Sequence, residues 1–482
     1  MKGKKILSTL LALLLLASLP VSALAAEWDI GNGDITVNAG SGGQTVTQGS
    51  QVDVPDSAPV ITGSSTKNTV TINAEKDQTA SVTLSGATID VITEGKAAVS
   101  TTGEGNVSIE LDGDSTLKSG SAHAGLEKNN GGSLTITDED KNGKLTAEGG
   151  EYGAGIGGGS QGTGSDITIS GGEVKATGGA FGAGIGGGNR GTGSDITISG
   201  GEVNATGGAY GAGIGGGNRG TGSNITISGG EVKATGSSYG AGIGGGSQGT
   251  GSDITISGGE VNASGGVNGA GIGGGLRGKG KDITVSGDAK LKVQGGVEDN
   301  YDGAGAGIGN GGSNADGSPV PGAEVAPDTS GLTTGRIEYY APGADMETDK
   351  PTSTTVGASS QPEKPTDPGT ERGADAPLYR VTDQDGKDIA HKAERKDGML
   401  TVTVDADFAI LTGRLSGIRT LKAQGVEKII FVTKGVASAF LLSDLLGKGE
   451  SGDTYKLTHD GKAVTFTLGE KMTDVSAILT KP

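Results

Sequence analysis

Residues 153–181 read GAGIGGGSQGTGSDITISGGEVKATGGAF, and residues 182–210 read GAGIGGGNRGTGSDITISGGEVNATGGAY. Gly-Ala-Gly-Ile begins at Gly153, Gly182, Gly211, Gly240 and Gly269, a constant step of 29 residues. A fixed period of this length is the signature of stacked repeats, each too small to bury a hydrophobic face alone. Within one copy Asp166–Ser170 alternates, with Ile167 and Ile169 on one side and Asp166, Thr168 and Ser170 on the other. Glu173–Thr177 alternates too, placing Val174 and Ala176 inward, and Tyr152–Ile156 makes a third short run. Period two is the strand signature, and glycine turns leave no interval long enough for a helix. Three strands per rung of 29 residues therefore predict a parallel β-helix whose rungs stack at about 4.8 Å. Ile156, Ile185, Ile214, Ile243 and Ile272 should form one inward column, and Ile167 with its counterparts another.

The rest of the chain divides around this block. Residues 1–26 read as a secretory signal: Lys2, Lys4 and Lys5, an apolar run, then Ala23-Leu24-Ala25. The apolar run is short for a membrane span, and no second one follows. Residues 27–340 read as the β-helix, regular at about 150–290 and less so at both ends. Residues 341–376 are rich in Pro, Thr and Ser and read as a solvated linker. Residues 377–482 have ordinary composition and read as a small α+β domain. Its expected elements are strands at 400–404 and 428–433, helices at 408–425 and 437–446, and a terminal hairpin through His459-Asp460-Gly461.

Composition limits function. The formal net charge is −18, which argues against nucleic acid and anionic membrane as partners. There is no cysteine, so an exported chain would draw stability from its hydrogen-bonded ladders instead of disulfides. Exported protein or bacterial cell-surface protein is the expected location, and a monomer the expected state.

The order VTLSGATID, AAVS, NVSIEL, STLKSG, AGLE, SLTIT, KLTAEGG and GAGIGGG resembles secreted carbohydrate-binding β-helix proteins of clostridia and their relatives, with a pectate-lyase-like fold. The resemblance covers residues 35–312. It implies a right-handed, three-sheet parallel β-helix that binds acidic plant polysaccharide such as pectin, with calcium as a candidate ion; pectin or cellulose is the expected partner. Such proteins often carry Asp-Gly-Ile where this chain has Ala154-Gly155-Ile156. That departure weakens the case for calcium at this position.

Outward columns are where a stacked repeat can carry chemistry. Tyr152, Phe181, Tyr210 and Tyr239 make an aromatic column, ending at Asn268. It either stacks on sugar rings or fills a corner of the rung. Gln161, Arg190, Arg219, Gln248 and Arg277 make a second, in which Arg190, Arg219 and Arg277 could pair with the carboxylates of a polyuronate, or simply sit on a solvated turn. Glu173, Glu202, Glu231 and Glu260 make a third, whose mutual repulsion calls either for calcium or for lysines such as Lys175 and Lys233. Thr168 and its copies make a fourth, which ordinary strand preference explains.

A lyase or hydrolase on the same scaffold is the rival reading. Such an enzyme needs one constellation that breaks the repeat, and the regular zone is uniform. The acidic insertion at Glu298, Asp299 and Asp302 does break it and reads as a rung-end wrap. A non-catalytic polysaccharide-binding or adhesive surface protein is the expected function; a passive stalk is the third reading.

Overall fold

A computed structural model describes residues 25–299, 302–313, 320–357, 379–384 and, with short interruptions, 387–480. The signal segment up to residue 24 and the linker from residue 358 to 376 lie outside the described residues.

The repeat forms a parallel β-solenoid with three sheets of 10, 12 and 11 strands. The first runs through Gly164–Ile169, the second through the two-residue strand Ile156–Gly157, and the third through Glu173–Thr177. The first run of each repeat is thus shorter than its sequence suggests. Its glycines bend away after two paired residues, Ile156 with Ile185 and Gly157 with Gly186. Registers are those of equal positions: Ile156 pairs with Ile185, Ile167 with Ile196, and Glu173 with Glu202.

Stability comes from the inward columns. Ile156, Ile167, Ile169, Val174 and Ala176, with their counterparts through residue 263, form one continuous core and are almost completely buried. A buried isoleucine contributes about 1.5–3 kcal/mol, so three per rung offset much of the entropy cost of the glycines. The glycines answer to crowding between rungs. A Cβ on Gly182 would lie 1.9 Å from the carbonyl oxygen of Gly153, and one on Gly211 equally close to that of Gly182.

Both ends are closed. Strand Ile35–Gly40 is followed by Gly43–Gln48 and Gln51–Pro55, antiparallel to one another, which cover the amino-terminal edge of the second sheet. At the other end Arg336–Tyr340 continues the third sheet and Ser353–Val356 pairs antiparallel with it. Residues 341–357, expected in the linker, therefore belong to the solenoid's closing hairpin. Such reversals keep the open ladder from recruiting further strands.

The carboxy-terminal domain is mostly β. A five-stranded antiparallel sheet includes Phe408–Arg414, Thr454–Asp460 and Ala463–Leu468. A four-stranded sheet includes Met399–Thr403, Lys428–Val432 and Ala437–Leu441. Two expected helices are corrected. Phe408–Arg414 is a strand, and the helix begins only at Leu415 and runs to Ala423. Ala437–Leu441 is a strand, and the helix is Leu442–Leu446. Ladder partners across the sheets decide both cases, Leu411 opposite Leu457 and Ile429 opposite Phe440. The expected hairpin is present and turns through Gly461-Lys462. Among the described residues no helix is long and apolar enough to cross a membrane.

Candidate functional site

Each rung leaves the second sheet through a glycine turn that lies against the rung before it. The Asn189 N–H donates to the Tyr152 carbonyl (2.8 Å), Asn218 to Phe181 (2.8 Å), Ser247 to Tyr210 (2.8 Å) and Leu276 to Tyr239 (2.9 Å). The aromatic column and the arginine column, separate in the sequence, thus become one ridge. Asn189 and Asn218 link successive turns through their amides at 3.3 Å.

Gln161, Arg190, Arg219, Gln248 and Arg277 hold φ of 60–62°, the left-handed region. Glycine adopts this conformation freely, whereas a side chain there costs about 1–2 kcal/mol. In a turn flanked by glycines on both sides, all five rungs nevertheless keep a long polar side chain at this point. Arg190 and Arg219 are exposed, and neither has an ion pair among the described residues. Arg277 differs: its Nη2 lies 3.2 Å from Asp302 Oδ1, in the insertion. Of the three expected arginine contacts, Arg277 is committed within the chain.

The rings of Tyr152, Phe181, Tyr210 and Tyr239 are half-buried, with successive centroids 5.1–5.4 Å apart; the first three stack within 6° of parallel, and Tyr239 tilts by 32° from Tyr210. They do not enter the lumen. The inner rings, Phe181 and Tyr210, have a ring on either side, so a ligand would meet their edges and the Tyr210 hydroxyl. The Glu151 carboxylate beside Tyr152 holds its phenol above the ordinary range. The column ends at Asn268, which is fully buried and donates to the carbonyls of Asp302 and Gly303 at 2.9 Å. The insertion, read as a rung-end wrap, thus closes the ridge on this side.

The glutamate column lies on the third sheet. Glu173 pairs with Lys144 and Glu260 with Lys290, each at 2.5 Å. Relief of the like charges therefore comes from cations at the two ends of the column, not from Lys175 and Lys233. Two of the four carboxylates expected to share calcium are committed to lysines; Glu202 and Glu231 lie between them. Lys290 and Lys292 hold the Glu260 carboxyl below the usual range, the hydrogen bond from Lys290 contributing most. Among the described residues one set of three carboxylates comes within 4.8 Å, at Glu110, Asp138 and Asp140. Its oxygens accept from the backbone N–H groups of Glu139, Asn142 and Gly143, which ties down a turn.

One constellation was missed from the sequence. Where regular rungs read Ile-Gly-Gly-Gly, this rung reads Leu126-Glu127-Lys128-Asn129. Glu127 is 6% exposed and Lys128 5%. Glu127 Oε2 accepts from the His123 ring at Nδ1 (2.9 Å) and from the Ala124 N–H (3.0 Å), and Oε1 accepts from the Asn129 amide (2.7 Å). Lys128 occupies the inward column of Ile72 and Thr101 and donates to the Asn130 carbonyl at 2.8 Å. Burial lowers its pKa, with Asp166 pulling weakly the other way. The signal is legible in the sequence: Glu127, Lys128 and Asn129 stand where each regular copy has three glycines.

Five segments, residues 141–160, 167–189, 196–218, 225–247 and 254–276, match the family described as Beta helix repeat. No curated protein and no solved structure matches the chain. A β-helix repeat fold is consistent with polysaccharide-related or structural roles.

Proposed function

We propose that this is an exported, non-catalytic protein whose ridge binds an extended acidic polysaccharide of the pectin type, running along the solenoid axis. The observation that carries this reading is Arg190 and Arg219. Both are exposed, one rung apart, and kept in the left-handed region where glycine is the cheaper choice. Guanidinium groups about 4.8 Å apart suit a polymer bearing a carboxylate on each sugar. The flanking tyrosine hydroxyls and asparagine amides supply donors for sugar hydroxyls. Export rests on the amino-terminal lysines followed by an apolar run.

Affinity electrophoresis of the full chain in gels containing polygalacturonate or neutral cellulose derivative tests the proposal. The expected result is retardation by polygalacturonate only, with at least a tenfold weaker affinity for the Arg190→Ala, Arg219→Ala double variant. Equal mobility in all gels would favour the stalk reading, which the uniformity of the regular rungs also fits.

A further inference from the structure

We infer that His123, clamped by Glu127, is the terminal contact of this ridge, binding the end of the acidic glycan chain; the inference rests on the polysaccharide reading above.

The placement follows from backbone register. The Ser160 N–H donates to the Ala122 carbonyl at 2.7 Å, as Asn189 does to Tyr152 one rung later. Ala122 therefore takes the slot of the aromatic column in this rung, and His123 takes the slot of Gly153, Gly182 and Gly211. Gly150 donates to the His123 carbonyl as Gly179 does to that of Gly153. The ridge begins with a histidine, and the same position is glycine in each regular rung that follows, at Gly153, Gly182, Gly211, Gly240 and Gly269.

The histidine is held for use. Both oxygens of the buried Glu127 carboxylate are engaged, Oε2 with the ring nitrogen Nδ1. A carboxylate on Nδ1 fixes the ring's orientation and leaves Nε2 as the available group. No hydrogen bond reaches Nε2 among the described residues, and the side chain is 34% exposed. Burying Glu127 is expensive, and it is satisfied by a set of partners found in this rung alone. A Cβ on Gly159 would lie 2.6 Å from Glu127 Oε2, so the carboxylate lies against the turn that carries Gln161. The far end of the ridge is shut by Asn268 and the Arg277–Asp302 pair. Among the described residues, the His123 end instead presents a partly exposed polar group whose orientation is fixed.

The chain has three histidines, His123, His391 and His459, so their imidazole resonances can be followed separately in the intact protein. The probe is a short galacturonate oligomer. The expected result is that His123 signals move on titration while those of buried His459 do not, and that His123→Ala weakens binding about tenfold. Glu127→Gln should change the nitrogen-15 signature of the His123 tautomer in the free protein and weaken oligomer binding as His123→Ala does, whereas a carboxylate that serves the fold alone would leave the affinity unchanged. Binding that needs Arg190 and Arg219 but leaves the His123 signals and affinity untouched would overturn this inference alone. No binding by the intact chain would overturn both readings.

Discussion

The rings of Phe181 and Tyr210 lie 5.1 Å apart, centroid to centroid, with planes 6° from parallel. Stacked rings spend their faces on each other, so the column holds rungs together and offers only its edge to a ligand. Removing the hydroxyl and removing the ring should then act differently. Tyr210→Phe should leave thermal stability within about 0.5 kcal/mol of the parent and weaken polygalacturonate binding. Tyr210→Ala should loosen the rung by roughly 1–3 kcal/mol, seen as faster hydrogen exchange in residues 181–239. Equal binding by Tyr210→Phe would remove the hydroxyls from the contact.

The close approach of successive rungs at Gly182 makes a second expectation. A single methyl there meets a backbone oxygen, which has no flexible end to move aside. Gly182→Ala should destabilise the adjacent rungs by at least about 1–3 kcal/mol. Because repeats unfold by neighbour contacts, the damage should be local. Limited proteolysis should cut near residue 182 in the variant before it cuts the carboxy-terminal domain.

His459 offers a pH test. It is fully buried, its Nδ1 lies 3.1 Å from Thr433 Oγ1 and its Nε2 2.6 Å from Ser438 Oγ. Thr433 Oγ1 donates to the Val436 carbonyl, so it accepts from Nδ1–H, and the Ser438 hydroxyl donates to Nε2. The neutral ring fits both bonds. Burial pushes its pKa down to about 4, from an ordinary 6.5. The folded value lies below the unfolded one, so the contribution is complete above pH 6.5. It is lost as pH falls from 6.5 towards 4, by roughly 3 kcal/mol in all. Exchange of the strand Thr454–Asp460 at matched temperature should quicken between pH 7 and pH 4.5 once corrected for intrinsic rate. In His459→Gln that acceleration should shrink.

The solenoid was legible because its columns repeat at one period, and identical residues at identical positions need no long-range inference. Ile156 above Ile185 and Glu173 above Glu202 follow from counting. The joining of Tyr152 to the turn of Asn189 was not legible, since a backbone bond between loop residues leaves no mark in side-chain pattern. The pairing of Lys144 with Glu173 could have been read from the same counting, one rung before the regular block. In the carboxy-terminal domain Phe408–Arg414 has too few residues to distinguish the two periods, and its strand partners lie far along the chain. Glu127 escaped notice because the repeat was read for what recurs, and this residue interrupts it.

The central claim is that like residues of successive rungs make a continuous ridge that carries an acidic glycan. Hydrogen exchange on the full chain, with and without saturating polygalacturonate, tests it most directly. Protection should appear together in the turns 158–162, 187–191 and 216–220 and in the aromatic segments 150–153, 179–182 and 208–211, and should leave the first sheet unchanged. Protection confined to the first or third sheet, or none at all, would contradict it.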